Sequence, residues 1–118
     1  MGLAEAWSRF GPPLKVAAIR GDSPWQDDVA FVYSAGYAFS WSGDRLWQIR
    51  FSSGYAGSVY GIFIGDSADK LVSTLGTPYF SSETSLVFRL AYTGFPVRLR
   101  VIVAQGRATD LFVYRADY

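Results

Sequence analysis

Histidine and cysteine are both absent from this chain, which removes most of the side chains that catalysis uses near neutral pH. No Ser-His or Cys-His nucleophile pair can be assembled, no imidazole can act as a general base, and no thiolate or imidazole set can hold zinc. Carboxylates and lysines are what remain. Asp27 and Asp28 are adjacent, so on a strand they point to opposite faces, and in a loop they solvate a turn. Glu5 and Glu83 are the only glutamates. One starts a helix and the other sits in a Ser-Ser-Glu-Thr loop, with nothing in their spacing to bring them together as an acid pair. Gly61, Gly65 and Asp66 have the look of a phosphate-binding turn. The segment lacks the third glycine of a dinucleotide fingerprint and the Gly-Lys-Ser/Thr of a P-loop, and an acid at that helix start would repel phosphate. The sequence therefore assigns no catalytic residue, no metal site and no cofactor, and it predicts a protein that is not an enzyme.

Binding chemistry is better represented. Alternation in the strand-like runs puts Leu86, Phe88 and Leu90 on one face and Arg89 on the other; Leu99, Val101 and Val103 oppose Arg98 and Arg100 in the same way. Leu111 and Val113 inward place Asp110, Phe112 and Tyr114 outward, and Trp47, Ile49 and Phe51 inward place Gln48 and Arg50 outward. One sheet face then carries Arg50, Arg89, Arg98, Arg100, Phe112 and Tyr114, the candidate partner-binding residues. Arginine and tyrosine are enriched where proteins meet proteins, and they also suit single-stranded nucleic acid. With a net charge of only +1, nucleic acid is not the expected partner. Trp25, Trp41, Tyr37, Tyr55 and Tyr60 pose a choice between core, subunit contact and partner surface. Four tryptophans, eight tyrosines and nine phenylalanines in 118 residues are more than a small core hides.

Two short helices position these strands. In the second, Asp66 or Ser67 can cap the first-turn amides, Asp69 complements the helix dipole, and Leu71, Val72 and Leu75 recur at helical spacing. Gly76 permits a left-handed end and Pro78 forbids continuation. At the N-terminus Leu3, Ala6, Trp7 and Phe10 form the stripe, followed by Gly11, Pro12 and Pro13 in the same roles. Strands are predicted at Val29 to Tyr33, Tyr37 to Trp41 and Leu46 to Phe51, then at Leu86 to Ala91, Val97 to Val103 and Thr109 to Tyr114. The breaks fall at Ser42 to Arg45, Thr93 to Pro96 and Gln105 to Arg107.

Three strands after each helix read as one unit used twice, about residues 1–59 and 60–118, joined through Gly54 to Ser58, where Tyr55 is a candidate exposed anchor. Each half would be marginal alone, so both are expected to share one antiparallel sheet as a single α+β domain, with the short helices packed on one face. The chain is long enough to bury a core without metal or disulfide. Its 50% hydrophobic and 18% charged composition argues against disorder. No segment is apolar and long enough to span a bilayer, so the chain as given reads as soluble.

The pattern Ile62-x-Ile64-Gly65-Asp66-Ser67, a short helix, then Leu75-Gly76-x-Pro78, and strands ending in the spaced triplet Ala108, Leu111 and Val113, resembles the small α/β repeat of BamE-like outer-membrane lipoproteins and of tandem-repeat β-lactamase inhibitor proteins. That resemblance implies helices on one face of an antiparallel sheet, the other face open to a protein partner, and no catalysis. The chain lacks a lipobox cysteine and a signal segment before Leu3, which places it in the cytoplasm if complete, and in the periplasm or outside the cell if a leader has been removed. The resulting expectation is a non-enzymatic protein-binding module of inhibitor or immunity type. The alternatives are a self-associating homo-oligomer and a weak single-stranded nucleic-acid or small-ligand binder.

Overall fold

Pro12 and Pro13 end the first helix and start an extended run, and the same sequence of events follows Gly76 and Pro78. The computed structural model describes residues 1–19, 28–91 and 94–117. Helix α1 (Leu3–Phe10) is followed by β1 (Lys15–Ile19), β2 (Asp28–Tyr33), β3 (Tyr37–Ser42) and β4 (Arg45–Phe51). Helix α2 (Ala68–Leu75) is followed by β5 (Phe80–Ser81), β6 (Ser85–Arg89), β7 (Val97–Ala104) and β8 (Arg107–Arg115). All eight strands form one antiparallel sheet in the order β1-β2-β3-β4-β8-β7-β6-β5. Asp27 and Trp25 lie outside the described residues, as does Thr93.

This corrects the expected α+β arrangement of two helix-plus-three-strand repeats. Among the described residues the molecule is an eight-stranded antiparallel sheet with two eight-residue helices, and four described strands follow each helix. The unpredicted strands are β1 and β5. Lys15-Val-Ala-Ala-Ile is short, with alanine at two of its five positions, so it carries a weak strand signal, and it pairs along the edge of β2. Strand β5 is two residues held against Val87 and Leu86.

Both helices end as the sequence requires. Gly11 and Gly76 sit at positive φ, 79° and 88°, and their amides donate to the carbonyls of Trp7 and Val72. Of the two cap candidates for α2, Ser67 is the cap: its Oγ accepts from the Lys70 amide at 3.2 Å. Asp66 instead accepts from the Phe63 amide at 2.8 Å and from Lys70 Nζ at 2.9 Å. The stretch before α2 is bonded to the β7–β8 hairpin through Gly65 N to Ala108 O, Ala68 N to Gly106 O and Ala108 N to Asp66 O. Its glycines thus serve backbone geometry. Tyr60 and Gly61 make a tight turn with φ 52° and 85°, closed by Val59 and Ile62 exchanging two backbone hydrogen bonds.

Cross-strand register places Phe31, Phe39, Ile49, Val113, Leu99 and Phe88 in one row, and that row lies under the helices. Helix α1 inserts Ala6 among Phe31, Tyr33, Phe39 and Trp41. Helix α2 inserts Leu71 among Val59, Ile62, Phe88, Leu99, Val101, Ala108 and Leu111. Each helix buries one residue completely, while Trp7, Phe10 and Val72 stay 41–49% exposed. The helices rest on the sheet rather than sinking into it. Tyr33 Oη donates to the Gly11 carbonyl at 3.1 Å, and Trp41 Nε1 donates to the Met1 carbonyl at 2.9 Å, so the two buried aromatics with polar ends also hold α1 in place. Burial, reinforced by the neighbouring Tyr37, raises the Tyr33 phenol above its ordinary value.

Candidate partner-binding face

The face opposite the helices is set by the same registers. One row runs Lys15, Val32, Ala38, Arg50, Phe112, Arg100, Val87, Phe80 across all eight strands. The adjacent row runs Ala17, Ala30, Ser40, Gln48, Tyr114, Arg98, Arg89. All six candidate residues, Arg50, Arg89, Arg98, Arg100, Phe112 and Tyr114, fall in these two rows. They share β4, β8, β7 and β6, and β1 to β3 add Lys15 and Val32 together with the small residues Ala17, Ala30, Ala38 and Ser40. The antiparallel pairing of β4 with β8 is what joins Arg50 to the others.

The arginines are organised by aromatic rings. The guanidinium carbons of Arg50 and Arg100 lie 5.4 and 4.9 Å from the Phe112 ring centre. Those of Arg89 and Arg98 lie 3.9 and 4.8 Å from the Tyr79 ring centre. Tyr79 was not among the sequence candidates. It lies in the short link between α2 and β5, 53% exposed, and its amide donates to the Val87 carbonyl at 2.7 Å. The signal that could have found it is an aromatic directly after Pro78, where the chain must turn onto the sheet edge. Arg50 alone of the four has an ion-pair partner among the described residues, Asp110 at 2.8 Å. Val87 belongs to this face yet is only 8% exposed, hidden among the longer side chains around it.

Trp47 departs from the predicted alternation. A bulge at Ser40/Trp41 pairs Trp41 with Leu46 and Ser40 with Gln48, so Trp47 is the extra residue and the inward set of β4 is Leu46, Ile49 and Phe51. Trp47 borders a depression of about 260 Å³ on the outer face with Gln48, Arg100 and Tyr114. It also borders a cavity of about 370 Å³ whose lining includes Leu46, Ile49, Phe95, Val97 and Val113 as well as Gln48 and Tyr114. Its Nε1 is the one buried side-chain donor without a hydrogen-bond partner among the described residues. Arg115, at the rim of that cavity, is bonded to Asp117 at 2.7 Å and stands over Phe95 at 3.9 Å. That hydrogen bond holds the Asp117 carboxyl below the usual carboxylate range.

The remaining aromatic candidates divide. Trp41 is core, Tyr37 and Tyr55 are half-buried, and Tyr60 is 56% exposed. Tyr55 is therefore not an exposed anchor: its ring packs 4.6 Å from Phe51 and 6.3 Å from Tyr37. Glu5 is salt-bridged to Arg9, far along the chain from Glu83. Among the described residues there is no cluster of three or more acidic side chains that could hold a metal ion, and no helix is long and apolar enough to cross a membrane.

No family model matches this sequence, BamE-like and inhibitor-like repeats included, and no curated protein matches it. A structure search finds the same fold elsewhere. The chain is similar to a crystal structure of an extracellular protein containing an SCP domain from Bacillus anthracis str. Ames, with a TM-score of 0.65 over 98% of this chain at 7% identity. The match spans 43% of that structure's chain, so less than half of the neighbour is represented here. At that identity the likeness is one of fold.

Proposed function

We propose that this chain is a non-enzymatic protein-binding module that presents the outer face of its sheet to a partner. The observation that carries the reading is the set of four arginines gathered on one face, of which only Arg50 has an acid beside it among the described residues. A sheet face whose sole task was to be solvated would be stabilised by interspersed charges of both signs, because like charges on neighbouring strands repel. Here cations alternate with the rings of Phe112, Tyr114 and Tyr79, the mixture that in protein interfaces combines water exclusion with charge pairing. The rigid strands hold these side chains in place before the partner arrives, which lowers the ordering cost of association. An inhibitor or immunity-type role is consistent with such a preformed surface.

Charge reversal of two outer-face arginines, Arg98 half-buried and Arg100 exposed, tests the reading without touching the core. Wild type and the double variant Arg98→Glu/Arg100→Glu are immobilised side by side and offered the same extract of the source cell. The wild type should retain a protein that the variant retains at least about tenfold less, as expected when two charged contacts become repulsive. Equal retention by both would remove this face from the function.

A further inference from the structure

The outer face contains two arginine pairs built alike and balanced differently. Around Phe112, Arg50 and Arg100 share one ring, and Asp110 neutralises Arg50 at 2.8 Å. Around Tyr79, Arg89 and Arg98 share one ring at 3.9 and 4.8 Å, and they are direct cross-strand partners on β6 and β7. No carboxylate among the described residues pairs with either of them. Directly opposed like charges destabilise a sheet, and the face of one phenol offsets only part of that. The fold supplies an internal acid at one pair and leaves the other open.

The open pair has the geometry of a receptor for carboxylates. Two guanidiniums held beside one ring present planar, forked donors that match a carboxylate in a bidentate way. Their stems and the Tyr79 ring supply apolar surface next to the charge. The surroundings favour an acidic polypeptide over a nucleic-acid strand. Phe112 separates Arg50 from Arg100 along one row, where Val87 and Phe80 follow Arg100. Tyr114 and Gln48 follow Arg98 along the other, and Asp110 flanks the cationic rows in the next row beyond Phe112. A phosphate backbone calls for a continuous cationic track, whereas a segment that alternates acidic and neutral side chains fits cations interleaved with apolar and polar groups.

We infer that Arg89, Arg98 and Tyr79 form an acid-recognition station that seats the carboxylates of an acidic protein segment, with Tyr79 as its platform. This rests on the reading of the outer face as a protein-binding surface, and it adds the chemistry of the partner and the place where its acids land. At the Phe112 pair Asp110 already neutralises Arg50, which leaves one guanidinium there, Arg100, without an acid among the described residues, against two at the station.

The test is a fluorescence-anisotropy titration at low salt with a labelled octapeptide of alternating glutamate and serine. Its glutamine counterpart and an oligothymidylate of equal charge serve as comparison probes. Wild type should bind the glutamate peptide and not the glutamine peptide. Arg89→Gln/Arg98→Gln should weaken that binding at least about tenfold, as loss of charge-assisted hydrogen bonds requires, and Tyr79→Ala should weaken it as well. The control Arg9→Gln/Arg45→Gln removes the same charge elsewhere and should leave binding unchanged. Three results overturn the station: equal loss in the control, equal binding of the glutamine peptide, or tighter binding of the oligothymidylate with the same dependence on Arg89 and Arg98. If the glutamate peptide fails to bind while Arg98→Glu/Arg100→Glu still abolishes retention of the cellular partner, the station falls and the face stands. If the peptide binds at the station while retention is unaffected, the role of the face in capturing the cellular partner falls.

Discussion

Asp66 illustrates how one side chain can be misplaced by a single residue and still be understood. As a helix-start acid next to Ser67 it was one of two cap candidates, but the cap is Ser67, and Asp66 closes the turn behind it. Its hydrogen bond from Lys70, followed by that from the Phe63 amide, holds the carboxyl below its ordinary value of 3.8. A lowered folded-state value means that the ionised form stabilises the fold above that pH and that the contribution disappears as pH falls through the folded value. Asp66→Asn should therefore lower stability at pH 7 by at most about 1 kcal/mol, because Lys70 is solvent-exposed and its charge is screened. The gap to wild type in denaturant titrations should close once pH drops below 3.8; a gap that persists in acid would assign the loss to shape rather than charge. Trp47 shows the opposite limit of sequence reading. Period-two alternation makes it inward, and the bulge at Ser40/Trp41 removes it from that set. Nothing local distinguishes a bulged strand from a regular one, since the extra residue is accommodated by the partner strand's register.

At the scale of elements, both helices and six strands were legible because each carries its own signal: a stripe at helical spacing ended by Gly and Pro, or a β-branched and aromatic run bounded by turn residues. Strands β1 and β5 carried no such signal and exist through pairing with an already formed neighbour. The turn between β2 and β3 has a role beyond reversing the chain. Gly36 has φ 88°, its carbonyl accepts from the Ser52 amide at 2.8 Å, and a side chain on it would collide with the backbone of Gly54 and Tyr55. It is the point where the β2–β3 hairpin meets the segment leaving β4. Gly36→Ala should cost about 2 kcal/mol or more, through both the positive φ and the displaced backbone. Gly43→Ala, in open space at φ 62°, should cost less, about 1 kcal/mol, from conformation alone. Equal midpoints for the two variants in thermal melts would show that the close approach at Gly36 does not matter.

The whole molecule depends on a junction that neither half contains. Strands β4 and β8 pair Ile49 with Val113 and Phe51 with Leu111, so partly buried residues link the separate clusters under α1 and α2. Leu111→Ala removes a side chain only 1% exposed and should cost about 2–5 kcal/mol. All four tryptophans lie in the first half of the chain, so their fluorescence reports on the other side of the junction from Leu111. One cooperative unit predicts that the fluorescence and far-ultraviolet dichroism midpoints fall together in this variant. An unmoved fluorescence transition would mean two independent halves.

What the sequence by itself determined is the alternation within the six predicted strands apart from the bulge at Trp47, the ends of both helices and the poverty of catalytic side chains, because each of these follows from composition or from neighbours a few residues apart. Which strand lies beside which was decided by the tertiary structure. Antiparallel register is a long-range match of apolar faces, and it alone brought Arg50 next to Phe112, set Arg89 against Arg98, and provided Asp110 at one arginine pair while leaving the pair at Tyr79 with no acid among the described residues.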